Sequence, residues 1–188
     1  MIKKIGVDMD EVICTGVANQ MVDEVNRRYD TGVSLDDFNS YSIEKEMGVS
    51  RKEIDEILRD IDYNNLDVVK GADTTLRALH NLDKKIYIVT SRNTDIPLIR
   101  ERTASWLEDH HIPYDMIMFG KDKGNIAWLQ GIDVFVEDSP EYALDIADRK
   151  IKTYLINYPY NRDVENEYIT RVDNWSEIYR DILRGEPD

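Results

Sequence analysis

Two rhythms of apolar and polar positions alternate along this chain. Ile5-Gly6-Val7, Ile86-Tyr87-Ile88-Val89, Met116-Ile117-Met118-Phe119, Val134-Phe135-Val136 and Thr153 to Ile156 are short, largely apolar runs. Runs of that length, bounded by charges and turn residues, predict five strands buried on both faces. Stretches with helical spacing separate them: Asp73 to Asn81 after Gly71-Ala72, Ile96 to His110, a helix that ends near Gln130, Pro140 to Ala147, and Trp175 to Leu183 at the end. Strands that alternate with helices predict an α/β fold: a doubly wound parallel sheet with helices on both faces.

The segment after the first strand breaks this alternation. Gly16 to Asp30 carries Val17, Met21, Val22 and Val25 at the spacing of an amphipathic helix, and Thr31-Gly32 ends it. Ser50-Arg51-Lys52-Glu53 has the pattern of a capping box and opens a helix that runs to about Ile61. No strand is expected between them. The organisation is therefore a core of residues 1–14 and 69–188 with a small helical cap, residues 15–68, inserted after strand one. Phe38, Tyr41, Tyr29 and Tyr63 in this insert are candidates to stack on a base, or to form the cap's own core.

Composition narrows the function. The 188 residues fit one domain with an insert, and an apolar fraction of 41% supplies a core at that size. A net charge of −14 argues against a nucleic-acid polymer as partner, because such affinity rests on clustered Lys and Arg. It leaves room for a small phosphorylated substrate. The single cysteine, Cys14, forms no internal disulfide, which suits a reducing compartment. The start carries no signal-peptide core and no run approaches membrane-spanning length, so a cytoplasmic protein is expected. His80, His110 and His111 fall away from the strand ends and read as structural, and Trp106 and Trp128 read as helix core.

Chemistry collects where the strands end. Strand one runs into Asp8-Met9-Asp10, strand two into Thr90-Ser91-Arg92, and the strand at 134–136 into Glu137-Asp138. Lys123 opens the helix after the strand at 116–119, with Lys121 as a neighbouring alternative. In a parallel sheet all these ends share one edge, where open α/β folds bind ligands. Two carboxylates at a strand end can hold a hard divalent cation, or divide the roles of nucleophile and proton carrier. Together with a hydroxyl, an ammonium and a second acidic pair, they form a set suited to phosphate and metal.

This ordered set resembles the haloacid dehalogenase-like (HAD) hydrolase superfamily. Its first motif matches Asp8 to Val12, its second Ile88-Val89-Thr90, its third Lys123, and its fourth Glu137-Asp138. The insert after strand one looks like that superfamily's first cap type. Within it, the chain is most similar to the 5′(3′)-deoxyribonucleotidase-like branch, through Asp-Met-Asp-x-Val, the small cap, Gly71-Ala72 and Thr90-Ser91. It departs from the family pattern at Glu11, where glycine is usual, and at Glu137, where the nucleotidases carry aspartate.

The resemblance implies a phosphomonoesterase that works through an aspartyl-phosphate. Asp8 would be the nucleophile and Asp10 the acid–base group. Mg²⁺ would be held by Asp8, Asp138 and the backbone carbonyl of Asp10. Thr90, Ser91 and Lys123 would hold phosphate, with Glu137 behind them and Arg92 either near substrate or a loop charge. The implied partner is a small phosphorylated substrate, first of all a (deoxy)nucleoside monophosphate, with a sugar phosphate as the alternative. Glu11 motivates a competing expectation, a phosphate-binding module without turnover. A receiver domain is disfavoured by the insert after strand one.

Overall fold

A computed structural model describes residues 2–35, 38 and 43–184. Among these residues, six parallel strands form one sheet: β1 (Lys4–Val7), β4 (Lys85–Thr90), β5 (Met116–Phe119), β6 (Val134–Glu137), β7 (Lys152–Ile156) and β8 (Ile169–Val172). Their order is β5-β4-β1-β6-β7-β8. The chain starts in the middle, builds one side through β4 and β5, then returns to β1 and builds the other. The reversal falls at the carboxyl end of β1, where the order of such a sheet opens a crevice.

Strict alternation along the strands sorts the core into two faces. Ile5 and Val7 of β1, Ile86 and Ile88 of β4, and Val134 and Val136 of β6 join a large cluster with Leu76, Leu79, Trp106, Ile178 and Ile182. Those partners come from α4 (Ala72–Asn81), α5 (Ile99–Asp109) and α8 (Trp175–Arg184). On the opposite face, Val89 and Phe135 pack with Ala127 and Ile146. These belong to α6 (Lys123–Gln130) and α7 (Pro140–Ala147). The doubly wound α/β arrangement expected from the pattern is the observed one.

Three differences from the expected elements have local causes. First, β8 is an extra strand. It is short, lies at the sheet edge and carries Thr170 and Arg171, so it lacks a continuous apolar run. Second, two short strands, β2 (Cys14–Thr15) and β3 (Asp67–Val68), pair antiparallel where the chain leaves and rejoins the sheet. Two-residue strands carry no periodicity to read. Third, Trp128 is 63% exposed rather than core. The inward face of α6 is Lys123, Gly124 and Ala127, and a Cβ on Gly124 would stand 2.6 Å from the Asp145 carbonyl. That close approach to α7 leaves no space for an indole.

The helices of the insert follow their expected patterns. In α1 (Val17–Tyr29) the buried residues are Val17, Met21, Val22 and Val25. The predicted capping box of α3 (Arg51–Asp60) forms, with Ser50 and Glu53 satisfying each other's backbone N–H groups. A short helix, α2 (Ile43–Met47), precedes it, and α1 packs against α3.

Gly6 sets the spacing of the sheet beside the site. A Cβ built there would lie 2.4 Å from Phe135 Cδ2 on neighbouring β6. Overpacking of a dense core costs about 1–3 kcal/mol. Gly6→Ala is expected to lower the unfolding free energy by that amount, read as a lower urea midpoint with an unchanged m-value, and Phe135→Leu to recover part of the loss. Equal midpoints for Gly6→Ala and wild type would show that Phe135 turns aside freely.

Candidate active site

The loop after β1 sets the site. Ile13 and Cys14 donate their N–H groups to the Met9 carbonyl at 2.9 and 3.0 Å, closing a tight turn. Tyr158 Oη donates to the Glu11 carbonyl at 2.9 Å, and Trp175 Nε1 donates to the Val12 carbonyl at 3.0 Å. The turn requires a left-handed residue, and Glu11 supplies it with φ 58°. For a residue with a Cβ, that conformation costs about 1–2 kcal/mol. The side chain offers compensation. Its carboxylate accepts from Thr15 Oγ1 at 2.7 Å and from the N–H groups of Gly16 and Ala18 at 3.3 and 3.2 Å. It thereby caps α1, whose N-cap Gly16 has no side chain for the task.

Asp8 sits at the end of β1 and is buried. Lys123 Nζ lies 2.7 Å from Asp8 Oδ1 and 2.9 Å from Glu137 Oε2, and its side chain is fully buried. The other Glu137 oxygen accepts the N–H groups of Asp138 and Ser139 at 3.3 and 3.1 Å. Asp8, Glu137 and Asp138 each offer an oxygen, and these oxygens lie within 4.8 Å of one another. Tyr160 Oη donates to Asp138 Oδ2 at 2.6 Å, and Asn161 Nδ2 donates to the Asp138 carbonyl at 2.7 Å.

Burial raises the Asp8 carboxyl to about 8, with the Glu137 charge adding to the rise and Lys123 opposing it. Asp138 is raised too, by burial and then by the charges of Glu137 and Asp8. Burial works against the charge of Lys123, but Asp8 and Glu137 hold it protonated beyond the usual lysine range. Three close carboxylates against one ammonium leave the cluster short of positive charge. Hard oxygen donors in that state fit a hard divalent cation.

Asp10 stands beside this cluster and pairs with Arg92. Arg92 Nη2 is 2.5 Å from Asp10 Oδ1, and the Asp10 side chain keeps 27% of its surface exposed. Asp8, Asp10, Ser91, Arg92, Lys121 and Asp138 all line one cavity of about 950 Å³. The insert closes its far wall with Met21, Phe38, Met47, Ile54, Leu58 and Tyr63.

The expected residues therefore fall into three groups. Asp8 meets Lys123 directly, Asp138 brings an oxygen within 4.8 Å of Asp8 and Glu137, and Lys121 stands at the cavity wall. Asp10 and Ser91 face the same cavity. Thr90 is buried, and its hydroxyl accepts the Arg92 N–H at 3.2 Å. Of the four aromatic candidates, Phe38 and Tyr63 line the cavity, while Tyr29 donates to Glu53 on the outside at 2.7 Å. Tyr41 lies outside the described residues. His110 stacks on Trp106, and none of the three histidines lines the cavity. The sequence left Arg92 undecided and put the Pro159–Arg162 loop on the active edge; in the structure Arg92 meets Asp10 and Tyr160 meets Asp138. Their positions two residues beyond β4 and four beyond β7 are the signal that points to the site edge.

The raised Asp8 carboxyl has a measurable consequence. Without a bound cation, folded Asp8 keeps its proton up to about pH 8, while the unfolded chain releases it near the ordinary value of 3.8. Unfolding between those values releases a proton, so this group makes stability fall as pH rises from about 4 to about 8. In chelator, Asp8→Asn is expected to flatten the decline of the thermal midpoint across that window. A divalent cation should raise the midpoint at pH 8 in wild type more than in the variant. An unchanged slope in Asp8→Asn would assign the decline to other groups.

A family model described as 5′ nucleotidase, deoxy (pyrimidine), cytosolic type C, matches residues 1–186. Nucleotidase CA_C3379 of Clostridium acetobutylicum is 29% identical over 178 residues, covering 92% of this chain and 90% of that protein. YqfW of Bacillus subtilis is 30% identical over 180 residues, covering 93% and 90%. The crystal structure of ATU0790 from Agrobacterium tumefaciens, a haloacid dehalogenase-like protein, has the same fold. Its TM-score is 0.68 at 16% identity, over 98% of this chain and 99% of that one. A sheet order centred on β1, carboxylates gathered at its end and a match along nearly the whole chain lead to one assignment: the chain belongs to the HAD-like 5′-nucleotidase family and is a phosphoric monoester hydrolase.

Proposed function

We propose that the protein is a Mg²⁺-dependent 5′-nucleotidase that hydrolyses (deoxy)nucleoside monophosphates in the cytoplasm through an aspartyl-phosphate. The observation that carries this reading is the placement of Asp8 and Asp10. Both face the cavity, and Asp8 shares its buried edge with Asp138 and Lys123. In this reading Asp8 is the nucleophile. Asp10 protonates the leaving alkoxide and later takes a proton from the attacking water.

Asp8, Asp138 and the backbone carbonyl of Asp10 would hold Mg²⁺, which when bound lowers the repulsion between an anionic nucleophile and an anionic phosphate. Lys123, Ser91 and Thr90 serve the phosphoryl oxygens. Lys123 is preferred over Lys121 because its ammonium already touches Asp8. Glu137 anchors Lys123 from behind.

Residues 15–68 act as the cap, tied at both ends by the β2–β3 pair. Their contribution to the cavity wall is mostly apolar, with Met21, Phe38, Met47 and Ile54, beside the charged Glu44, Arg51 and Asp55. Such a wall suits the flat face of a nucleobase better than a polyol. Glu11 does not oppose this reading through free charge beside the nucleophile, because three donors hold its carboxylate.

The test is phosphate release from a panel of deoxy- and ribonucleoside monophosphates and sugar phosphates, with Mg²⁺ and with chelator. Mg²⁺-dependent release, fastest on nucleotides, is expected. Asp8→Asn should lose at least about 10³-fold in kcat. Asp10→Asn should lose about 10²–10⁴-fold. A preparation of Asp8→Asn that keeps full activity would sink the nucleophile assignment, and a preference for sugar phosphates would overturn the substrate class.

A further inference from the structure

Arg92 is committed to the protein rather than to solvent. It follows β4 by two residues and is 6% exposed. Its Nη2 lies 2.5 Å from Asp10 Oδ1, and its Nε lies 3.1 Å from Oδ1 and 3.0 Å from Oδ2. Nη1 donates to Thr103 Oγ1 on α5 at 2.9 Å, and that hydroxyl donates to the Ile99 carbonyl at 2.7 Å. Nη2 also lies 3.4 Å from Cys14 Sγ. The Tyr63 ring packs under the guanidinium at 4.8 Å. Sheet, helix, catalytic loop and insert thus converge on one planar, rigid group. Burial works against its charge, and the neighbouring Asp10 carboxylate holds it protonated.

The two oxygens of Asp10 are not equivalent. Oδ1 takes Arg92 Nη2, a share of Nε, and Cys14 Sγ at 3.4 Å. Oδ2 takes the other share of Nε at 3.0 Å. Oδ1 is crowded with donors, and Oδ2 has the freer lone pair on a side chain that opens to the cavity. A carboxyl protonated on Oδ2 still offers Oδ1 as an acceptor, so the clamp survives both protonation states.

We propose that Arg92 is the positioning residue for Asp10, fixing its carboxyl through Oδ1 so that Oδ2 carries the proton in both half-reactions. The proposal rests on the reading of Asp10 as acid–base group. In the first step an Asp8 oxygen bonds to phosphorus and the ester P–O bond breaks. Its electron pair stays on the leaving oxygen, which takes the proton from Asp10 Oδ2. In the second step water bonds to phosphorus and gives a proton to Oδ2. The P–O bond to Asp8 then breaks and releases inorganic phosphate. Misplacing a reacting group by about 1 Å can cost about 10²-fold, and among the described residues the other side chain that reaches the Asp10 carboxylate is Cys14, whose Sγ stands at 3.4 Å.

A change of leaving group tests this role. A nucleoside 5′-alkoxide needs the proton, whereas p-nitrophenolate leaves without it. The value of kcat/KM reports steps up to loss of the leaving group. Arg92→Met is expected to lower kcat/KM on a nucleoside monophosphate by about 10²-fold and to change it little on p-nitrophenyl phosphate. Arg92→Lys, with one donor point instead of a fork, should fall between. Thr103→Val, which removes only the strut on Nη1, should show the same pattern at smaller size if Arg92→Met fails to fold. On the nucleotide, the loss should sit in kcat rather than KM.

Equal losses on both substrates would overturn the proposal, and so would a rise in KM with unchanged kcat. Asp10→Asn separates the two readings. If it lacks the leaving-group dependence, the acid–base assignment itself fails. If it shows the dependence and the Arg92 and Thr103 variants do not, only the positioning role fails.

Discussion

A buried ammonium governs this structure. Lys123 has no solvent to turn to, and its position between Asp8 and Glu137 fixes three distant parts of the chain relative to one another. Asp8 ends β1, Glu137 ends β6, and Lys123 opens α6. Two adjacent buried carboxylates would repel across the centre of the sheet without it. Breaking such a pair by removing one partner commonly costs about 3–5 kcal/mol, because the charge left behind stays buried. The same arrangement leaves the carboxylate cluster short of positive charge on the cavity side. Lys123 thus ties the ends of β1 and β6 to the start of α6 while it offsets only part of the negative charge gathered there, a state that suits a hard cation.

A second constraint lies in the turn that carries Asp8 and Asp10. Its carbonyls are held from outside by Tyr158 and Trp175, and its left-handed residue is Glu11. Glycine would adopt that backbone without cost. Glutamate instead accepts strain and uses its side chain to cap the first helix of the insert. The helix therefore starts from the Asp8–Val12 loop itself, and its position follows that loop. Arg92 adds a third tie by joining Asp10 to Thr103 and Tyr63. Sheet, α5, loop and insert meet within a few ångströms of the two aspartates.

The cavity is divided by chemistry. Its floor is polar and comes from strand ends. Its far wall is largely apolar and comes from the insert. A molecule that fills both halves would need a polar end for the floor and a flat or apolar group for the wall. The acidic balance of the chain as a whole, −14, does not by itself decide what binds, because the groups within a few ångströms set the local field.

Much of this was legible in the order of residues. Continuous apolar runs marked β1, β4, β6 and β7, because strands buried on both faces need apolar side chains; the same pattern marked β5, which instead lies at the sheet edge with Met116 exposed. Carboxylates, hydroxyl and lysine at the ends of those runs marked the site, because a parallel sheet brings every strand end to one edge. Ser50 with Glu53, and Val17 with Met21, Val22 and Val25, marked the insert's helices, because capping and amphipathicity are local. The edge strand β8, the two-residue pair β2–β3 and the exposure of Trp128 were not legible, because each depends on what packs beside it. The same is true of the partners of Arg92, Glu11 and Tyr160. A charged residue in a loop reads alike whether it faces water or a carboxylate. The sequence by itself determined the fold class and the edge where chemistry gathers. Tertiary structure decided which charges meet there, since an ion pair between residues 82 positions apart exists only once the sheet has closed.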